Sequence, residues 1–421
     1  MRILLLSQWF QPEPAFKGLP LAKALQNRGH DVEVLTGFPN YPEGRIYPGY
    51  RIGLWQREIM DNIRVNRVAL YPSHDKSGLR RSMNYLSFGL SSAIVGNFLI
   101  NRPDVVYVFN LVTLGLATNL VKVRFRCPVI YDIQDLWPDS VADSKMLKSR
   151  FFLGLLDRWS SCTYNSATHL IVLSPGMKDE IIKRGVDESR VSVVYNWCDE
   201  EHMKPMPRNE SLAAKYGLNG HFVVMFAGTI GVMQGLEVLL EAAERVEEEA
   251  ADIRFVFVGG GIELEPLKRI AASRKLSNIV FIGRQAVESM AAILGLADVT
   301  VVHLKDSPVF EIAIPSKIQA YLAVGKPIIA GIRGDAETII MESGAGRVVP
   351  PEQPRALAGA VLEFYQMPAE EREIMGKRGL EYYRSKMSLK VGVNSIEKIL
   401  FRCVDKRKEI DRRQAESEQI P

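Results

Sequence analysis

The chain has 421 residues, with 53 Lys and Arg against 49 Asp and Glu and a formal net charge of +4, so any basic surface must be local and a dedicated nucleic-acid binder is not expected. Hydrophobic residues make up 47% of it, enough for two ordinary cores and incompatible with a disordered chain. Four cysteines (Cys127, Cys162, Cys198, Cys403) stand far apart with no CxxC pair, which excludes a zinc ribbon, a dithiol redox site and a disulfide scaffold by spacing; the chain reads as cytoplasmic.

The apolar run Met1 to Leu6 stops at Ser7 and Gln8, too short for a secretory segment or a bilayer span, and reads as a buried first strand. From there short β-branched runs alternate with helix-length stretches, the pattern of a parallel sheet covered by helices on both faces. Strands are expected at 2–7, 31–36, 63–70, 104–110, 128–133, 168–173 and 191–195, and again at 222–228, 254–259, 278–282, 298–303, 327–331 and 346–349. This describes an α/β chain of two doubly wound domains, 1–200 and 216–386, parted by the polar stretch Asp199 to Asn219 with its Pro205 and Pro207. After Pro354 the chain reads as helical. Its last apolar helix, about 387–402, is expected to return to the first domain, and the charged tail from Asp405 to be solvent-exposed.

Residues 80–102, RRSMNYLSFGLSSAIVGNFLINR, form an apolar stretch bounded by Arg80, Arg81 and Arg102 and shorter than the roughly twenty residues of a spanning helix. Further basic and apolar mixtures follow at Val121 to Arg126 and at Lys148 to Trp159. Two readings stay open for 80–102: an interfacial surface whose Arg and Lys meet lipid phosphates, or a buried helix covering the sheet.

Several loops at strand ends could carry chemistry. Gly18, at the start of a helix, lets the backbone approach an anion beside free N–H groups, although a loop-closing glycine reads the same way. His30 lies in the polar turn before the second strand and is read as structural. The segment Tyr131 to Asp139, YDIQDLWPD, stands at a strand's C-terminal end, where open α/β sheets bind ligands. Asp139 or Ser140 would cap the next helix, and Gln134 and Asp135 are assigned to the site, where a carboxylate can orient or deprotonate an attacking hydroxyl. No metal site is expected, because the chain has no Asp-x-Asp and no His pair at helix spacing.

In the second half, Ala227 to Gly235, AGTIGVMQG, places glycines between a strand and a helix, so that backbone N–H groups can cradle a diphosphate, without the GK[ST] of a Walker loop. Val258-Gly-Gly-Gly261 has Leu264 where a dinucleotide fingerprint needs glycine, which weakens a hydride-transfer reading. Next come Lys305 to Glu311 and Ile314-Pro-Ser-Lys317, where Ser316 and Lys317 at a helix start offer N–H donors and a cation to a phosphate. A lysine there costs up to about 1 kcal/mol against the helix dipole unless an anion sits nearby; a solvated lysine is the alternative.

Taken together, these segments resemble the family 4 glycosyltransferases of the GT-B fold, and most closely the WbuB-type N-acetyl-L-fucosamine transferases of O-antigen and capsule synthesis. The segments are LTGFPNYP (35–42), YPGYRI (47–52), YDIQDLWPDS (131–140), FAGTIGVMQGLE (226–237), IPSKIQAYLAVGKPIIA (314–330) and ESGAGRVVPP (342–351). The resemblance implies two Rossmann-like domains facing a cleft, with a UDP-linked N-acetylamino sugar bound by the second and a polyprenyl-diphosphate-linked saccharide as acceptor in the first. It further implies a retaining transfer at the inner face of the cytoplasmic membrane, with no metal and no cofactor beyond the UDP-sugar donor. On it, Gly18 meets the distal phosphate, Thr229, Gly231 and Gln234 line the diphosphate loop, Ser316 and Lys317 add donors, and Glu311 lies near the sugar.

The chain departs from the family at three places. Thr229 and Gln234 stand where many members carry Arg and Lys, leaving Arg284, Lys305 or Lys317 to compensate. Ala320 occupies the place of the second glutamate of the family's pair, although Glu311 and Gln319 keep the spacing one place over. Gln134 replaces a first-domain histidine, which leaves Asp135 and Asp132 to shape the acceptor site. A UDP-sugar 2-epimerase of the same fold, or a degenerate nucleotide-binding scaffold, are the other readings.

Overall fold

The structure is a computed structural model and describes residues 1–73, 77–137 and 150–417. The expected cap at Asp139 or Ser140 and the Lys148 end of the third basic stretch lie outside the described residues. The chain divides into two compact units. Unit 1 comprises 1–173, 177–194 and 393–421; unit 2 comprises 174–176 and 195–392.

Unit 1 is built on β1 (Arg2–Ser7), β2 (Asp31–Gly37), β3 (Trp55–Met60), β4 (Ile63–Val68), β5 (Val105–Phe109), β6 (Val129–Ile133), β7 (His169–Val172) and β8 (Val191–Val193). They form one sheet in the order β3-β4-β2-β1-β5-β6-β7-β8. Central strands such as β5, VVYVF, are buried at every position, which is why contiguous apolar runs announced them. Strand β3 was not foreseen. It pairs antiparallel with β4 through a tight turn in which Asp61 and Asn62 both take positive φ, and its side chains alternate between exposed and half-buried.

Unit 2 carries β9 (Phe222–Ala227), β10 (Ile253–Val258), β11 (Ile279–Ile282), β12 (Val299–His303), β13 (Ile328–Gly331) and β14 (Gly346–Val349) in the order β11-β10-β9-β12-β13-β14. All of these pair in parallel. Its core lies between the sheet and helices such as Glu237–Glu249, which buries Leu239, Leu240, Ala243 and Val246 along one face. Each such leucine withdrawn from water is worth about 1.5–3 kcal/mol. The α/β architecture of two doubly wound units is therefore as read from the sequence.

Two helices of unit 1 frame its site. Helix α1 (Leu19–Gln26) follows β1, and helix α2 (Gly78–Ser91) continues through Ser92–Gly96 and Asn97–Leu99. Ser77 caps α2 by accepting from the Arg80 N–H. The face of α2 that meets the sheet is made of Asn84, Tyr85, Phe88 and Gly89, followed by Ser92, Ala93 and Gly96. A Cβ at Gly89 would lie 2.6 Å from the Thr113 carbonyl oxygen, and one at Gly96 would lie 2.6 Å from Leu35 Cδ2, so small residues permit the close approach. A second set of large apolar residues points outward. Leu79, Met83, Leu86, Leu90, Ile94 and Phe98 recur every three or four residues on one exposed stripe, with Leu86 60% and Phe98 77% exposed. Helix α3 (Gly115–Phe125) adds Leu116, Leu120 and Val123, and helix α4 (Arg150–Ser166) adds Phe151, Phe152, Leu155 and Trp159, all exposed. No helix among the described residues is long and apolar enough to cross a membrane.

Candidate active site

In unit 2 the parallel strand order brings together loops that are remote in sequence. A cavity of about 440 Å³ opens at the C-terminal ends of β9 and β10, and Thr229, Arg284, Ser316, Lys317 and Ala320 all line it. Two glycine loops form its floor. The Ile230 N–H donates to the Gly260 carbonyl at 3.0 Å, and Gly228 N–H donates to the Val258 carbonyl at 2.9 Å. At Gly259 (φ 133°) and Gly261 (φ 159°), a Cβ would lie 2.0 Å from the carbonyl oxygens of Gly228 and Ile230, respectively. The Val258-Gly-Gly-Gly261 run is thus a packing partner of the first loop, which accounts for its incomplete dinucleotide pattern.

Lys317, at the start of helix α5 (Ser316–Ala323), reaches over this floor. Its Nζ lies 4.8 Å from the centre of the Phe226 ring, and no carboxylate pairs with it among the described residues. Burial alone pushes its pKa down to about 8. Arg284 lies alongside Gly260, whose added Cβ would sit 3.0 Å from its Nε. A cation held under such a desolvation penalty, beside an arginine and open backbone, suits an anion.

The other expected residues lie elsewhere in unit 2. Gly231 and Lys305 line a second recess of about 270 Å³ together with Gly235 and Glu352. Gln234 spends its Oε1 on the Gly231 N–H at 3.1 Å and so closes the loop on itself. Glu311, exposed at the end of the turn Pro308–Glu311, borders a shallow recess shared with Lys305 and Arg333. His303 escaped the sequence reading. Its Nδ1 faces the Gln234 carbonyl at 2.7 Å while its Nε2 accepts from Glu352 N–H at 2.9 Å, so the neutral Nδ1–H form ties the glycine loop to the end of β14. Burial lowers its pKa.

In unit 1 the candidates gather at the C-terminal ends of β1, β5 and β6. Asp132 is fully buried and accepts from three donors: Lys17 Nζ at 2.6 Å, the Tyr107 hydroxyl and Gln134 Nε2. Lys17 is equally buried. Asp132 therefore acts by positioning. It fixes the residue preceding Gly18 and orients Gln134, two residues further along the chain. Asp135 is exposed, with Asn110 Nδ2 donating to its Oδ2 at 3.3 Å. Crowding by surrounding protein raises its carboxyl pKa, and Asn110 opposes the rise. Gly18 is the N-terminal boundary of α1. Its N–H donates to the Ala15 carbonyl at 3.2 Å, and its missing Cβ leaves room for Gln11 Oε1, which takes the Leu19 N–H at 2.6 Å.

Glu13 is a further residue that the sequence did not single out. It is buried, with Oε1 accepting from the N–H groups of Asn40 and Tyr41 at 2.7 Å each and Oε2 from Phe10 N–H at 3.2 Å. Burial lifts its carboxyl to about 7, against the pull of those N–H groups and of Arg67. It pins the Phe38–Tyr41 segment to the loop after β1. A glutamate between two prolines in a strand-end loop was the available signal.

Comparison with known proteins agrees with this geometry. Residues 19–197 match the family model described as a glycosyl transferase 4-like domain, and residues 209–382 match the model for glycosyl transferases group 1. The chain is 30% identical over 272 residues to the probable glycosyltransferase WbjE of Pseudomonas aeruginosa, covering 63% of this chain and 67% of that protein. It is 25% identical over 386 residues to the putative colanic acid biosynthesis glycosyl transferase WcaI of Escherichia coli K12, covering 87% and 93% of the two chains. Among solved structures, Anabaena HepE in complex with UDP and glucose superposes with a TM-score of 0.68 at 16% identity, over 95% of this chain and 99% of that one. The epimerase and scaffold readings give way. The chain belongs to the GT-B glycosyltransferases, with a glycosyl transferase 4-like domain in its first half and a glycosyl transferases group 1 domain in its second.

Proposed function

We propose that this enzyme moves an N-acetylamino sugar, N-acetyl-L-fucosamine or a relative, from a UDP-sugar to a polyprenyl-diphosphate-linked saccharide in O-antigen or capsule synthesis. Transfer proceeds with retention and without a metal, at the inner face of the cytoplasmic membrane. The observation that carries the donor half is Lys317, a cation with no carboxylate partner among the described residues, held over two glycine loops beside Arg284. The bond from the sugar's C1 to the diphosphate oxygen breaks while the acceptor oxygen bonds to C1 on the same face, and the acceptor proton passes to the departing diphosphate. Negative charge grows on that diphosphate, so a cation already in place stabilises the transition state more than the bound donor, typically by about 3–4 kcal/mol for one such group. The UDP in HepE, which shares this fold, and the colanic acid role in WcaI's name support the same reading.

The membrane half rests on the outward apolar stripe of α2, extended by α3 and α4. A helix that exposes a second stripe of large apolar side chains besides the one it buries suits an interfacial position, and exposed Arg80, Arg102, Arg126 and Arg158 are placed for anionic headgroups. The donor is tested by thermal unfolding with UDP, GDP, ADP and NAD, where UDP at one hundred times its Kd should add about 2.7 kcal/mol. UDP release is then followed with UDP-sugars and undecaprenyl-diphosphate-linked N-acetylglucosamine, with and without EDTA. Stabilisation by another nucleotide in place of UDP, or no UDP release with any acceptor, would sink the proposal; loss of activity in EDTA would remove its metal-free part.

A further inference from the structure

Unit 1 repeats one dipeptide pattern three times around its site: Gln8-Trp9, Asn40-Tyr41 and Asn84-Tyr85. The three amides are buried and joined. Gln8 Nε2 donates to Asn84 Oδ1, and Asn84 Nδ2 faces Asn40 Oδ1 at 3.3 Å and the Tyr71 carbonyl at 2.7 Å. That network seats the following residues side by side. Trp9 lies 5.8 Å from Tyr41 and 6.1 Å from Tyr85, and Tyr85 lies 6.1 Å from Trp137, ring centre to ring centre. Tyr85 and Trp137 also begin a groove of about 450 Å³ between α2 and α4, continued by Leu86, Phe152, Leu155 and Trp159. Its volume is that of a ligand site and its walls are almost wholly apolar. One helical turn before Tyr85 stands Arg81, whose Nε is buried without a partner and which makes no ion pair among the described residues. A guanidinium in that state is costly unless an anion completes it.

We propose that this line of features holds one polyisoprenyl diphosphate-linked acceptor: the isoprenoid chain in the groove, the diphosphate on Arg81, and the first sugar against the rings of Trp9, Tyr41 and Tyr85. The inference deepens the acceptor reading above and rests on it. The groove shares Leu79 and Leu86 with the exposed stripe of α2, but Leu90, Ile94 and Phe98 lie outside its lining and are left to a bilayer surface. A polyisoprenoid is a single chain with its charge at one end, matching one apolar groove with Tyr85 in its lining and Arg81, unpaired among the described residues, one helical turn away. Aromatic faces beside the arginine suit the apolar faces of a sugar ring.

The test is photolabelling of the full chain in detergent with a benzophenone ether of farnesyl diphosphate, mapped by mass spectrometry. Label is expected on the peptides holding Leu86 and Phe152 to Trp159, and undecaprenyl diphosphate should compete about tenfold better than undecaprenol, the worth of one charged hydrogen bond. Arg81→Gln should erase that preference while competition by undecaprenol stays the same. Leu155→Gln, at an exposed position, should lower labelling without unfolding the chain. Label spread along Leu90, Ile94 and Phe98, or equal competition by phosphatidylglycerol vesicles, would overturn the groove in favour of simple bilayer contact. An unchanged preference in Arg81→Gln would overturn the diphosphate site. Transfer assays with undecaprenyl and single-isoprene acceptors separate the two proposals. Equal kcat/KM for both tails sinks the groove and leaves the transferase reading; groove labelling with transfer to neither sinks that reading and leaves the groove.

Discussion

Lys317→Met should make unit 2 more stable and its nucleotide binding weaker, two changes of opposite sign from one substitution. In the free protein the ammonium is held at a pKa of about 8 instead of 10.5 because burial disfavours its charge. At about 1.36 kcal/mol per unit, that displacement corresponds to roughly 3 kcal/mol of strain at neutral pH. The unfolded chain keeps its proton to about 10.5 while the native chain loses it near 8, so native stability rises with pH across that window. Methionine keeps an apolar stem against Phe226 and removes the charge. The gain at pH 7 should be about 1–3 kcal/mol, a Tm rise of roughly 2–10 °C for a unit of this size, and it should vanish by pH 10.5. A bound diphosphate pairs with the ammonium, so the variant should bind UDP about 10- to 100-fold more weakly, as expected for a lost charged hydrogen bond. Wild-type UDP affinity should also fall as pH passes 8. Differential scanning calorimetry and titration calorimetry with UDP between pH 7 and 10.5 measure both. A less stable variant, or one that binds UDP as the wild type does, would refute the reasoning.

Four further outcomes are expected. Asp132→Asn and Lys17→Met should each cost about 3–5 kcal/mol in urea unfolding, because either leaves a buried charge unpaired, whereas the double variant should recover part of the loss; additive losses would show that the pair is not coupled. His303 has a lowered pKa in the folded state, so stability should drop as pH falls from 6.5 through that value, and His303→Asn should flatten this acid limb of the Tm profile. Asp135→Asn should raise KM for the lipid-linked acceptor about tenfold and leave KM for the UDP-sugar unchanged, and equal effects on both would remove it from the acceptor site. Leu90→Glu with Phe98→Glu, both at exposed positions, should leave unfolding stability within about 0.5 kcal/mol of wild type yet abolish sedimentation with phosphatidylglycerol vesicles. Undiminished sedimentation would remove the stripe from membrane contact.

Thirteen strands were legible because a parallel strand covered on both faces must be apolar throughout, and that leaves a contiguous run in the sequence. Strand β3 was not, because its residues, WQREIM, face solvent on a sheet edge where charge is tolerated; the Asp61-Asn62 turn was its one signal. The glycine loop and the Pro315-Ser316-Lys317 junction were visible as motifs. Their convergence with Arg284 was not, since it depends on β9 lying beside both β10 and β12. The role of Asp132 was hidden for a related reason: its lysine partner is 115 residues away.

The sequence by itself determined the fold class, the two-part organisation and the loops able to carry chemistry, since these follow from local periodicity and from glycine, proline and charge at strand ends. Tertiary structure decided which of those residues meet. It separated Thr229, Ser316 and Lys317, which share a cavity, from Gln234, which closes its own loop. It also decided which way the 80–102 segment faces. An amphipathic period has the same length whichever side is buried, and only the close packing of Gly89 on Thr113 and Gly96 on Leu35 turns the leucines outward.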